Sequence, residues 1–393
     1  MIEVSVIILI LGAVAIAAGF GAIAYGAYKL GGERAAKRCA DEARALGGHL
    51  DLLRENARQL GDALMAKVAE KKGGVHPAEL SNDHLWGRAA APADTDIIKQ
   101  YGRDFRVICV ANFKGGVGKT TVAANLGAFL AAPYGDRTLQ RKRVLFIDTD
   151  FQGSLSSMLR PKGAAPQSRA AMIFSPPDRY TDDEVFAAIQ PASIQGLGQM
   201  HYLDADLALE DHQDLLRYEF VLGLTKDDAR FRLARRLLVD KFRDSFDVVV
   251  IDTPPRRTLL TLNALSAATH IFVPTKLDVF SQRGVSTILK EIASRRAHLW
   301  PHAEVAGIIA TMTTQARAFT ATERSRLRSI RQDLAEATFG DVDVLEPNFR
   351  QRTGVANPGT DQPFALYTNA VQGQSIRSEV AEVCRAAALR LFS

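Results

Sequence analysis

Cysteine is scarce in this chain of 393 residues: Cys39, Cys109 and Cys384 stand far apart and are odd in number. That excludes a disulfide framework and a cysteine-based metal motif, and it fits a reducing compartment. Internal repeats and low-complexity tracts are absent, which excludes a solenoid or an array. Charge is missing from Val4 to Tyr28, 25 consecutive positions. At ~1.5 Å rise per residue such a run spans a hydrocarbon core of roughly 30 Å. Positive charge is also missing ahead of it, where only Glu3 stands, and that argues against a signal peptide. Lys29, Arg34, Lys37 and Arg38 follow the run, so the positive-inside rule would put the rest of the chain in the cytoplasm. Residues 1–32 are therefore expected to form a transmembrane anchor. Ala18, Ala22 and Gly26 make a stripe of small residues on it that would let two such helices pack closely.

Residues 33–72 read as a helical stalk. Cys39, Ala43, Leu46, Leu50, Leu53, Ala57, Leu60 and Leu64 alternate spacings of four and three, the period of a coiled-coil seam. Gly47-Gly48 interrupts it, and an amphipathic helix lying on a surface is the alternative. Residues 73–96, with Gly73-Gly74, Pro77 and Pro92, read as a linker. The first 96 residues carry 11 basic and 12 acidic side chains, so residues 97–393 carry a net charge of +6 within the chain's +5.

From Arg106 onward strands and helices alternate. The spacing predicts strands at 106–112, 144–149, 199–204, 247–252, 270–275, 305–311 and 341–346. Several are unbroken apolar runs, which suits a doubly wound, mostly parallel α/β sheet with helices on both faces. Ligands of such a sheet sit at the carboxyl ends of its strands. There the chain places Lys114-Gly115-Gly116-Val117-Gly118-Lys119-Thr120-Thr121, between a strand and a helix. This is the setting of a phosphate-binding loop: glycines let backbone N–H groups approach a polyphosphate, and the helix N-terminus adds partial positive charge. Lys119 is placed for the β/γ-phosphates and Thr120 for Mg²⁺. The usual glycine five residues before the Gly-Lys pair is missing, because Phe113 holds its place, and a second lysine, Lys114, stands in the loop. Two further strands end in carboxylates, Asp148-Thr149-Asp150-Phe151-Gln152-Gly153 and Asp252-Thr253-Pro254-Pro255. Asp252 is placed as the second-sphere partner of Mg²⁺ found in P-loop enzymes.

These motifs resemble those of the ParA/MinD ATPases, the P-loop class with a deviant Walker A loop. Lys114 to Thr121 resembles that loop, Asp148 to Gly153 the second motif, and Ile251 to Pro255 the Walker B end. Leu262-Asn263-Ala264-Leu265, Ala267-Ala268, Val273-Pro274-Thr275, Gly307-Ile308-Ile309, Thr311-Met312 and Pro347 are similar to the ParA branch. The resemblance covers roughly 105–393, within a domain expected to span 97–393; anchor and stalk lie outside the family's usual plan. It implies an ATP hydrolase, slow and partner-stimulated, that uses ATP and Mg²⁺ and forms a homodimer sandwiching the nucleotide. It further implies catalytic roles for Lys114, Lys119 and Asp150. Lys114 would reach the partner's phosphates and Asp150 would orient the attacking water. Nucleotide contacts are implied for the whole loop (Lys114, Gly115, Gly116, Val117, Gly118, Lys119, Thr120, Thr121) and for Pro347. Metal contacts are implied for Thr120, Asp148 and Asp252. Phe151 departs from the family's proline. About ten extra residues around Pro133 to Lys142, and the stretch 160–198, match nothing.

The function implied is a membrane-anchored ParA-like ATPase of the bacterial inner membrane. ATP-dependent dimerisation would position or recruit a cargo or an unknown protein partner. A scaffold that binds ATP without turnover is one alternative. A bacterial tyrosine kinase is another, although the tail from Ser375 to Ser393 holds no tyrosine. Arg317, Arg324, Arg326, Arg328 and Arg331 form a basic helical segment that would face nonspecific DNA, or a lipid or protein surface.

Overall fold

In the computed structural model the protein is described over residues 82–393, apart from 103, 137, 193–198, 222–226, 316–317, 337–341, 352–363, 368–372 and 393. The anchor and stalk expected at 1–32 and 33–72 lie outside the described residues, as does Cys39. The division of the chain falls at Ser81, and Asn82–Ser393 forms one unit. Its sheet has eight strands in the order β3-β4-β2-β5-β1-β6-β7-β8. They are β1 (Arg106–Val110), β2 (Val144–Asp148), β3 (Gln190–Pro191), β4 (Met200–Leu203), β5 (Val248–Asp252), β6 (His270–Lys276), β7 (Glu304–Thr313) and β8 (Val344–Arg350). All pairings are parallel except that of β3 with β4. The seven expected strands are all present. β8 starts later than expected, and the two-residue β3 was not anticipated.

The apolar runs conceal a period of two. Val107 and Cys109 join Leu145, Ile147, Val249, Ile251, Ile271 and Val273 in one core. Ile108 and Val110 join Phe146, Val248, Val250, Phe272 and Ile309 in the other. Each face of the central strands is sealed by helices, so their runs stay apolar on both sides, and each such buried side chain contributes about 1.5–3 kcal/mol. The first core takes in Leu85 and Trp86 from α1 (Asn82–Gly87). After it come α2 (Pro92–Thr95), α3 (Lys119–Ala131), α4 (Ser154–Leu159), α5 (Ala170–Phe174), α6 (Asp182–Ala187) and α7 (Ala208–Val221). The remaining α-helices are α8 (Arg232–Leu238), α9 (Asp240–Ser245), α10 (Leu259–Ala267), α11 (Val279–Leu299), α12 (Ala321–Glu336) and α13 (Gly373–Phe392). The second core is closed by α3 and α13. The part of the expected linker from Asn82 onward is therefore helical in places and packed. Trp86 is 1% exposed and meets Trp300 and Phe113 edge to face, at ring separations of 5.9 and 5.6 Å.

The expected single-pass membrane location is corrected here. No helix among the described residues is long and apolar enough to cross a membrane. The two longest, α11 with 21 residues and α13 with 20, carry charged residues throughout. The apolar run that suggested the span lies outside the described residues.

Candidate nucleotide site

β1 is central in the sheet, with β5 on one side and β6 on the other. The crevice beyond its carboxyl end is where an open α/β sheet binds ligands. The loop from Asn112 to Thr121 fills it. Asn112, 1% exposed, donates to Pro274 O at 2.8 Å and accepts the Lys114 N–H at 3.0 Å. The Thr311 hydroxyl lies 2.8 Å from Val117 O and 3.1 Å from Thr275 O, which ties the loop to β6 and β7. Gly118 precedes α3 with φ +84°, a left-handed conformation that favours glycine. No side chain caps α3, so its first N–H groups are left to a ligand.

The loop's two lysines sit in different settings. Lys119 is 7% exposed and donates to Lys114 O at 3.2 Å. Burial pushes its pKa down, while Asp252 and Asp150 pull it back up. The Lys114 side chain is 31% exposed, and its amine lies 3.2 Å from Asp278 at the end of β6.

Asp148 and Asp252 stand in register on neighbouring strands, each 1% exposed. Two carboxylates so placed cannot both be comfortable as anions. Asp148 is relieved by the chain itself. Its Oδ1 accepts the Asp150 N–H at 3.0 Å, and its Oδ2 accepts the Ser156 N–H at 2.8 Å and the Ser156 hydroxyl at 2.7 Å. Burial still raises its pKa to about 6. Asp252 has no such relief: neither carboxylate oxygen has a hydrogen bond of good geometry. Burial, then the neighbouring Asp148, push its pKa up, and the Thr120 hydroxyl and Lys119 only partly offset this. Two unpartnered carboxylate oxygens beside a hydroxyl are hard oxygen donors in a buried place, a set that suits Mg²⁺ completed by phosphates and water. No cluster of three or more His, Cys, Asp or Glu capable of holding a metal occurs among the described residues, as a phosphate-completed site requires none.

The strand ends are cross-tied. Thr149 reaches Asp252 O through its N–H at 3.0 Å and its hydroxyl at 2.7 Å, and the Thr253 hydroxyl donates to Val110 O at 2.9 Å. Asp150 is half-buried and accepts the Gln152 N–H at 3.1 Å.

The family profile described as an AAA domain matches residues 105–304. The chromosome partitioning protein ParA of Caulobacter vibrioides is 34% identical over 267 residues, 67% of this chain and 87% of that protein. The chain belongs to the ParA/MinD-type P-loop ATPases. It is an ATP hydrolase that works with ATP and Mg²⁺. The chromosome-partitioning ATPase Soj of Thermus thermophilus is also 34% identical, over 53% of this chain and 69% of Soj. Among solved structures, a complex of Cyanothece McdA with ATP superposes with a TM-score of 0.57 at 17% identity, covering 74% of this chain and 97% of that one. It shows a shared fold.

Of the ParA-like site residues expected from sequence, Lys114, Lys119, Thr120, Asp148, Asp150 and Asp252 come together at the carboxyl ends of β1, β2 and β5. Val117 is buried beneath them, and Gly115 and Gly116 are exposed on the loop. Thr121 is half-buried, and its carbonyl accepts from Asn125 at 2.8 Å. Both oxygens of Asp148, expected near the metal, accept hydrogen bonds that fold the Asp150 loop. Pro347 lies half-buried on β8, the last strand of the sheet, beside Asn348, which accepts from Thr313. Asn112 and Ser156 were not anticipated, and Thr311 was noted only for its likeness to the ParA branch. Asn112 could have been found as a polar residue closing an apolar strand, whereas Ser156 carried no such signal.

The basic segment is narrower than its sequence suggested. Arg326 donates to Leu277 O, and Arg331 pairs with Asp343 at 2.7 Å and Glu346 at 3.6 Å. Arg324 and Arg328, one turn apart on α12, are exposed. Arg317 lies outside the described residues.

Proposed function

We propose that this ATPase is a nucleotide-gated dimerisation switch that positions or recruits a cargo. The observation that carries the reading is the contrast between the loop's two lysines. Lys119 is buried where it would hold the β/γ-phosphates of its own subunit's ATP. Lys114 sits at the rim, where its amine would reach the phosphates held by a second copy. A cation supplied in trans stabilises charge on the transferring γ-phosphoryl. Asp150, on a loop whose ends are pinned, would orient the attacking water. Thr120 and Asp252 would hold Mg²⁺, which neutralises phosphate charge when bound. Asp148 would keep the Asp150 loop in shape. ATP would thus favour the paired state and hydrolysis release it.

The partitioning role in the name of the Caulobacter relative supports cargo positioning as the output. The ATPase body is taken to run from Asn82 to Ser393, with residues 33–72 as a helical stalk ahead of it. Nonspecific DNA is the polyanion proposed for Arg324 and Arg328. Pro347 is proposed to border the nucleotide's base.

Turnover tests this reading. Lys114→Ala and Asp150→Ala should each slow ATP hydrolysis at least about tenfold. Wild-type rates in both would overturn it.

A further inference from the structure

The loop carrying Asp150 is fixed at both ends. Asp148 anchors one end through Ser156 and the Asp150 N–H. At the other, Gly153 has φ +61°, and a Cβ there would lie 2.7 Å from Ala205 O. The middle of the loop rests on Phe151, whose ring is 4% exposed and joins the first core. One face of that ring is covered by the Arg256 guanidinium, 4.4 Å from the ring centroid.

Arg256 belongs to the loop after Asp252. Its guanidinium also lies 3.3 Å from Glu210 on α7, and its side chain is 52% exposed. The next residue holds the base of this loop in place: Arg257 lies 3.3 Å from Glu291 and 5.1 Å over the Trp86 ring. Arg256 is therefore presented from an anchored position. A planar guanidinium stacked on a ring restrains that ring in two directions, which a lysine does poorly. The two segments joined here carry the proposed water-orienting carboxylate and the proposed metal carboxylate.

We propose that Arg256 is a positioning residue for ATP hydrolysis: by capping Phe151 it fixes the loop that holds Asp150 relative to the loop after Asp252. This rests on the catalytic reading of Asp150. In this proposal Arg256 acts through Phe151 and not on the nucleotide. Its removal should let the Asp150 loop shift while the phosphate loop keeps its grip.

The test uses the full chain. Arg256→Met should lower kcat by on the order of tenfold, because small misplacements of a catalytic group are costly in rate. The Kd for ATP should stay within about twofold, since no phosphate contact is lost. Arg256→Lys keeps the charge near Glu210 but loses the guanidinium over the Phe151 ring, and should recover only a minor part of the rate. Phe151→Leu should cost as much as Arg256→Met, and the double variant no more than either single one.

Any of these results would overturn the proposal: a wild-type kcat in Arg256→Met, full recovery by Arg256→Lys with Glu210→Gln as slow as Arg256→Met, or losses that multiply in the double variant. Placing Arg256→Met in an Asp150→Ala background separates the layers. An undiminished further loss there would show that Arg256 does not act through Asp150, which also refutes it. A wild-type rate in Asp150→Ala alone would sink the underlying catalytic reading and this proposal with it. A slow Asp150→Ala beside a wild-type Arg256→Met would sink the proposal only.

Discussion

Asp252→Asn should make the nucleotide-free protein more stable and the nucleotide-bound protein less so. The Asp252 carboxylate is 1% exposed, has no hydrogen bond of good geometry at either oxygen and stands in register with Asp148, with only the Thr120 hydroxyl and Lys119 to offset this. A buried polar group without a partner costs about 1–3 kcal/mol, and more if charged. Lys119 returns part of this by its charge, so the net relief from a neutral, nearly isosteric side chain is taken as about 1–2 kcal/mol. For a body of this size that is a rise in Tm of roughly 2–5 °C. The ligand term moves the other way. Saturating Mg·ATP at about a hundred times Kd adds about 2.7 kcal/mol to the wild type. The Mg²⁺-dependent part of that gain should vanish in the variant. Thermal unfolding in four conditions measures it: no ligand, Mg²⁺, ATP with chelator, and Mg·ATP. A fall in the nucleotide-free Tm, or an intact Mg²⁺-dependent rise, would refute the reasoning that places an unsatisfied metal carboxylate there.

Two other expectations concern acid and salt. His212 lies 3.0 Å from the Ser175 hydroxyl, and burial, with Arg179 nearby, lowers its pKa to about 4. The unfolded chain takes up that proton near pH 6.5, so its contribution is whole above about 6.5 and lost as pH falls toward 4. The loss amounts to about 3 kcal/mol, and His212→Gln should flatten the stability profile in that window; an unchanged profile would count against it. Arg324→Glu with Arg328→Glu should weaken binding to random duplex DNA and reduce the slope of log K against log salt by about 2. Unaltered binding would remove α12 as the DNA face.

Much of the fold was legible because a parallel sheet covered on both sides writes its strands as apolar runs, and the carboxylates and glycines that end them stand out. The residues that fold the site were harder to see. Ser156 looks like any helix residue until the chain brings its N–H and hydroxyl to Asp148, where they help to fold the Asp150 loop. Trp86 sat in a stretch rich in alanine and proline, and nothing local revealed that Phe113 and Trp300 would bury it. The segment 160–198 matched no motif, yet Thr181 and Glu184 form a capping box that starts α6. That signature was readable from spacing alone. The arginine segment misled in the other direction, because partners distant in sequence, Leu277 and Asp343, take up two of its cations.

The central claim is that ATP joins two copies through Lys114 and that Asp150 ends the pairing. Sedimentation of the body from Asn82 onward, with Mg·ATP and with ADP, tests it most directly. Asp150→Ala should remain a stable dimer in Mg·ATP and a monomer in ADP, while Lys114→Ala stays monomeric in both. A Lys114→Ala chain that dimerises with ATP as readily as Asp150→Ala would contradict the account.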